Sequence, residues 1–224
     1  PTAFNATLRY AFMTRILGYL SLAVNYQLSG LNVTGFHVVN LILHLANGIL
    51  IFLLMRALLG TDRPSSGENC HEAGWKTAIS VIIPFLFVLH PIQTHAVTYI
   101  TSRFVLLAAF FFLLSLYLYV KSHLTAVPRH IYLFYSCAVI SAVAAMLTKE
   151  FTFTLPLIIA LSDVTFFTGN LRQRAKRLFP IAMTIFVIPV LILLQQKSIS
   201  TLDSTMRTIT AANFSQISRE DYLL

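Results

Sequence analysis

Apolar residues gather into six long runs separated by short polar breaks: His37 to Leu59, Thr77 to Leu89, Phe104 to Val120, Ile131 to Thr148, Phe151 to Phe167 and Leu178 to Leu194. A helix needs about 20 residues to cross a bilayer. Each run crosses or nearly crosses at that length, which predicts an all-α, polytopic transmembrane bundle of about six spans over residues 37–196. The second run is short. It spans only if Trp75 and the His90-Pro91 end lie in the interfaces, or if its helix continues past Pro91. Residues 1–36 mix Arg9, Arg15, Asn25, Gln27 and Asn32 with aliphatics. Tyr10 to Leu28 reads as an amphipathic helix lying in an interface, ended by Ser29-Gly30. Residues 197–224 are rich in Ser and Thr and read as a polar outer loop or the start of another element. Pro84, Pro156, Pro180 and Pro189 sit within or beside four of the runs. Neighbouring helices satisfy the carbonyls that such prolines free, so a packed bundle with kinked walls is expected. Pro180 is expected near a helix start, where proline is at home.

Composition narrows the class. Hydrophobic residues make up 57% and charged residues 11%, with a mean hydropathy of +0.75; a soluble domain carries about twice that charge. Disorder, a collagen-like chain and a disulfide scaffold are excluded, and a soluble enzyme nearly so, because too little polar surface would cover the core. The net charge of +8 then points to anionic lipid headgroups as partner, not to nucleic acid. Cys70 falls in a polar loop and Cys137 in an apolar run, which suggests neither a disulfide nor a metal site. No secretory signal is recognisable, and the sequons at Asn5, Asn32 and Asn213 are given no role. A first residue that is not Met reads as a fragment of a longer protein.

Charge sets an expected orientation. Nine of the 16 basic residues lie in segments 56–76, 121–130 and 169–177, which together are half as long as the segments on the other side. The Arg172, Arg174, Lys176, Arg177 cluster dominates. These segments are expected on the inner side. The amino end, residues 90–103, Lys149-Glu150 and the carboxy tail are expected on the outer side.

Charged groups near hydrocarbon are costly and become functional candidates. The segment His90-Pro91-Ile92-Gln93-Thr94-His95 through Arg103 is one. It is either an interfacial hairpin meeting headgroups or a pocket for an anionic ligand, with the planar fork of Arg103 on a phosphate and His90 as a further donor. His90 and His95, five apart, share a helix face poorly, so a His metal pair is a weak reading. Thr148-Lys149-Glu150 is the second candidate. It is either a tight outer turn with solvated charges, or a site where Lys149 holds phosphate and Glu150 orients Lys149 or another polar group. Asn40, His44 and Asn47 share one face of the first span. Interhelical hydrogen bonding is the plain reading and ligand contact the sharper one. Asp163 is expected to cap its helix or snorkel into the interface.

Several segments together resemble a known family. Asn25-Tyr26-Gln27-Leu28-Ser29-Gly30-Leu31-Asn32 and Gly35-Phe36-His37-Val38-Val39-Asn40-Leu41-Ile42-Leu43-His44 look like its first outer loop and following helix. His90-Pro91-Ile92-Gln93-Thr94-His95-Ala96-Val97-Thr98-Tyr99-Ile100 and Thr148-Lys149-Glu150-Phe151-Thr152-Phe153-Thr154-Leu155-Pro156 match its next two signatures. The family is that of bacterial polytopic membrane glycosyltransferase-like proteins with carboxy-terminal tetratricopeptide repeats. It is similar to the transmembrane and tetratricopeptide-repeat O-mannosyltransferases of GT-C fold. The resemblance implies transfer of a sugar from a polyprenyl-phosphate carrier to an acceptor, such as protein Ser or Thr or a glycan, on the outer face of a bacterial inner membrane. It implies an inverting displacement in which an acid of the first outer loop is the base and basic groups hold the departing phosphate.

Arg103, Lys149, His90 and Arg15 are then the expected phosphate or substrate ligands, and Glu150, His95, Gln93, Asn40 and His44 the supporting polar residues. Many members have Glu where His95 stands and an acid where Val105 stands. The family's acidic pair would precede Pro1 and the repeats would follow Leu224, so no catalytic residue is assigned within this chain. A divalent metal is neither implied nor excluded. Two other classes stay open: a transporter or flippase for a lipid-linked saccharide, using the same polar cavity without a base, and a non-catalytic membrane scaffold.

Overall fold

The computed structural model describes residues 15–60 and 70–193. The expected features at Asn5, Arg9, Arg63, Asn213 and 197–224 lie outside the described residues. Within them run α1 (Ile16–Ser29), α2 (Val33–Leu58), α3 (Cys70–Leu89), α4 (Thr94–Thr98), α5 (Arg103–Leu124), α6 (Pro128–Met146), α7 (Leu155–Phe166) and α8 (Leu171–Met183). Short 3-10 turns occupy Pro91–Gln93, Ile100–Ser102, Glu150–Thr154 and Thr184–Phe186. No strand occurs among the described residues.

Burial is inverted relative to a soluble bundle. Leu157, Leu161, Val164, Phe85 and Leu86 stand exposed, while Asn40, Asn47, Arg103, Ser115 and Asp163 are buried. This is the arrangement a hydrocarbon solvent selects: apolar side chains face outward, and polar ones are buried where other helices supply partners. Val33–Leu58, Ile100–Leu124, Pro128–Met146 and Leu171–Leu193 are each long and apolar enough to cross a membrane. Gly74–Leu89 with Pro91–Thr98 adds a fifth, bent by 49°. The chain is a multi-pass, all-α membrane protein.

Local chemistry explains the breaks. Asn32 accepts the Thr34 N–H at 3.0 Å and caps α2. Pro91 disfavours helical backbone at His90, which is extended (φ −63, ψ 126), so the second span bends there and does not run straight through Pro91. The fifth expected span shrinks to the 12-residue α7 behind a 3-10 turn. Pro156 lacks an N–H, and the Thr152 and Thr154 hydroxyls donate to carbonyls three residues back, Lys149 O at 2.8 Å and Phe151 O at 3.1 Å. Residues 171–177, expected as loop, are helical, which puts Pro180 inside α8 and not at its start.

The core centres on α5 and α6. Ala138, Ala142 and Ala145, all fully buried, repeat at helical spacing and let the two backbones approach closely. Ser115 Oγ donates across to Ala138 O at 2.8 Å. Leu54, Ala57, Leu116, Tyr119, Val120, Leu155, Ile159 and Ile181 complete the cluster. At the far end of α5, Gly18 of α1 lies so close to the Phe104 ring that a β-carbon would overlap it.

Candidate functional site

The long helices alternate in direction, so their polar ends collect at two opposite ends of the bundle. The end that carries the expected site is organised by Arg103 and by Glu150.

Arg103 opens α5 and is fully buried. Its Nε donates to Asn40 Oδ1 at 2.7 Å, its Nη2 to Phe36 O at 2.8 Å and its Nη1 to Ser21 O at 3.5 Å. The guanidinium also lies 5.7 Å from the Phe36 ring centroid. It therefore clasps α1 and α2 and does not reach outward to an interface as expected. Among the described residues three of its five N–H groups are engaged and two remain.

The polar stripe on α2 holds helices together. Asn40 Nδ2 donates to Tyr99 O at 2.9 Å and Val97 O at 3.4 Å. His44 Nε2 lies 3.2 Å from Val88 O, and Asn47 Nδ2 donates to Leu106 O at 3.1 Å. All three side chains are buried, in the manner of interhelical hydrogen bonding.

Arg15 and Glu150 form a two-bond fork, Nε to Oε1 at 3.0 Å and Nη2 to Oε2 at 3.1 Å. Glu150 thus orients Arg15, a polar group other than Lys149. The Lys149 ammonium stands 5.6 Å from the Phe151 ring. Leu17 N–H donates to Leu147 O at 3.3 Å, which seats the start of α1 beside the Lys149 turn. His90 is exposed, and its Nδ1 accepts the Ile92 N–H at 3.2 Å. It borders an apolar cavity of about 500 Å³ with Phe85 and Leu89. His95 stacks on Tyr99 at 5.4 Å, and Gln93 is half-buried in the Pro91–Gln93 turn between His90 and His95. His90, Arg103 and Lys149 are thus brought to one end of the bundle, where, among the described residues, His90 and Arg103 border different cavities.

A larger cavity, about 790 Å³, lies between α1, α2 and the start of α5. Leu20, Val24, Val38 and Leu107 give it apolar walls, and Asn25, Ser29 and Arg103 give it a polar side. Ser29 Oγ donates to Asn25 O and accepts from Asn25 Nδ2, both at 2.8 Å. The hydroxyl proton is committed, so the amide must turn its NH₂ toward Ser29. Asn25 Oδ1 is left buried with no partner among the described residues. The sequence marks Asn25 as a polar residue among aliphatics and as part of the first-loop signature; its orphaned acceptor is a property of the fold.

The other end holds a cluster that sequence reasoning missed. Asp163 is fully buried and neither caps nor snorkels. It accepts from Tyr119 Oη at 2.8 Å, and His123 Nε2 and Arg174 Nη1 each lie 3.6 Å from its carboxylate. Arg174 also donates to Phe167 O at 2.7 Å. The signal was present in part: Asp163 is an acid inside an apolar run, and Tyr119 and His123, four apart, share a face of α5. Among the described residues no group of His, Cys, Asp or Glu is placed to hold a metal ion.

The chain has relatives among known proteins. It is 37% identical over 110 residues to human protein O-mannosyl-transferase TMTC4, covering 48% of this chain and 14% of that protein. Against Tmtc3 of Drosophila melanogaster it is 35% identical over 114 residues, 48% of this chain and 12% of the relative. Against tmtc2 of Xenopus laevis it is 34% identical over 154 residues, 68% of this chain and 17% of the relative. The chain is similar to the TMTC protein O-mannosyl-transferases. It spans less than a fifth of the length of these relatives. No protein-family model matches it, and no solved structure does.

Proposed function

We propose that this chain is the donor-binding part of a membrane glycosyltransferase that moves mannose from a polyprenyl-phosphate carrier to a protein Ser or Thr on the non-cytoplasmic side. The observation that carries the reading is the cavity between α1, α2 and α5. Its volume, about 790 Å³, suits a ligand of that class. Its aliphatic walls match an isoprenoid. Asn25 Oδ1, buried without a partner, needs a donor such as a sugar hydroxyl. The two remaining N–H groups of Arg103 suit a phosphate, and the Lys149 turn stands beside the α1 wall of the cavity.

The chemistry follows from the residue types. When the glycosidic bond to the carrier breaks, negative charge accumulates on the lipid phosphate. Fixed donors in a dry site stabilise that charge at little reorganisation cost. Arg103 is locked by Asn40 and Phe36 O, so its fork does not have to be ordered during the reaction. Glu150 is held by Arg15, which fits a role in positioning and not in taking the acceptor proton.

The test is a transfer assay on the full-length protein with a polyprenyl-phosphate mannose and a Ser/Thr-rich peptide. Asn25→Ala and Lys149→Ala should each lower kcat/KM about 10- to 100-fold, that is, about 1.4 to 2.8 kcal/mol of transition-state stabilisation. Full activity in both variants, at unchanged expression, overturns the assignment. Movement of the lipid-linked saccharide across vesicles without transfer would replace it with a flippase.

A further inference from the structure

A third cavity, about 420 Å³, opens at the opposite end of the bundle, bordered by His123, Ile131, Tyr135, Lys176, Arg177 and Pro180. α5 separates it from the first site. Arg103 and His123 stand twenty residues apart on that helix, about 30 Å at 1.5 Å per residue. Two cations, Lys176 and Arg177, meet in its wall. Neither side chain has a hydrogen bond or carboxylate partner among the described residues. The buried carboxylate nearby, Asp163, is already held by Tyr119 and flanked by His123 and Arg174. Tyr135 Oη donates to Arg177 O at 2.7 Å and fixes this turn of α8 against α6, so the cations are held in place at the cavity.

The surroundings decide what kind of anion fits. α8 is strongly amphipathic. Arg172 and Lys176 are exposed on it, and so are Leu171 and Phe179 at 83% and 61%. A basic helix with exposed large apolar residues lies at the boundary between headgroups and acyl chains. The cavity repeats that division: Lys176 and Arg177 form one side, and Ile131, Tyr132 and Pro180 form an apolar side. A free anion would gain from the cations alone. A phospholipid would gain from both. We propose that the cleft between α5, α6 and α8 binds the phosphate headgroup of an anionic phospholipid from the adjacent leaflet, with Lys176 and Arg177 as its ligands. Basic clefts between membrane helices are suited to such headgroups, and the guanidinium fork pairs with a phosphate through two bonds.

The proposal can be tested on the full-length protein in phosphatidylcholine nanodiscs that carry a minor fraction of photoactivatable phosphatidylglycerol. Cross-links should map to residues 131–135 and 176–180. The double substitution Lys176→Gln/Arg177→Gln should lower cross-linking there about 30-fold, as expected for two basic residues near a lipid surface. Arg172→Gln, on the same helix but outside the cavity, should leave it nearly unchanged. If the double variant does not insert, Lys176→Glu alone serves, since that side chain is exposed and its reversal should still lower the signal. Three outcomes overturn the proposal: equal labelling by photoactivatable phosphatidylcholine, labelling that survives the substitutions, or displacement by inorganic phosphate, which would mark a site for free anions.

Discussion

Arg15 and Glu150 meet through two parallel hydrogen bonds at 3.0 and 3.1 Å although 135 positions separate them. The fork closes α1 onto the turn between α6 and α7, and with it one wall of the large cavity. Both side chains are about one-third exposed, so the pair acts as a locator more than as a source of stability.

Breaking the fork should therefore loosen α1 and spare the bundle. Arg15→Glu is expected to raise amide hydrogen exchange in Ile16–Ser29 while lowering detergent-state stability by no more than about 1 kcal/mol. The charge swap Arg15→Glu/Glu150→Arg should restore protection. Unchanged exchange in Arg15→Glu would show that α1 is held without the fork.

Gly18 and Phe104 form the second contact that seats α1. Gly18→Leu should displace the helix, because the added side chain needs space that the Phe104 ring occupies. A loss of about 1 to 3 kcal/mol is expected for such overpacking. Partial rescue by Phe104→Ala, measured by thermal unfolding in detergent, would tie the loss to that contact.

Removing Arg103 should be severe. Arg103→Ala leaves Asn40 Oδ1 and Phe36 O buried without their donor, at a cost of about 2 to 5 kcal/mol. Arg103→Lys should recover little, since one ammonium replaces a rigid fork that reaches three acceptors. Expression and unfolding temperature read this directly. An Arg103→Ala protein of normal stability would disprove the clasp.

Tyr119 and Asp163 should behave as a coupled pair. Tyr119→Phe leaves the buried carboxylate short of a donor, and Asp163→Ala strands the hydroxyl. Each should cost about 1 to 3 kcal/mol, and the double variant less than the sum of the two. Additive losses would mean that the 2.8 Å bond contributes nothing to stability.

Topology can be checked at two exposed positions at opposite ends of the bundle. With an impermeant thiol reagent on intact cells, Thr94→Cys is expected to label and Gln173→Cys to be protected. The reverse pattern would invert the proposed orientation.

Much of the bundle was legible because long apolar runs admit few alternatives in a bilayer. The α2 stripe was legible as well: Asn40, His44 and Asn47 share a face by spacing alone, and each meets a backbone carbonyl of a neighbouring segment. Sequence misjudged places where the answer belonged to a distant partner. Arg103 at a helix start suggests a side chain reaching to the interface, yet Asn40, 63 positions away, supplies an acceptor that makes burial tolerable. Asp163 suggests a cap until Tyr119 is found against it on another helix. Phe151 to Phe167 reads as a span by hydropathy, but two threonine hydroxyls and Pro156 tighten its first turn and leave a short helix.

The clasp between Asn40 and Arg103 also constrains how the protein is made. Synthesis at roughly 5 to 20 residues per second brings Arg103 out of the ribosome about 3 to 13 seconds after Asn40. α2 therefore enters the bilayer carrying a neutral amide whose partner does not yet exist, while α5 arrives with a charge whose acceptor is already in place. The order spares the membrane an unpaired guanidinium: the inexpensive half of the pair waits, and the costly half is met on arrival. Moving the arginine to position 40 and the asparagine to position 103 would keep the pair but reverse that order, leaving the charge to wait alone.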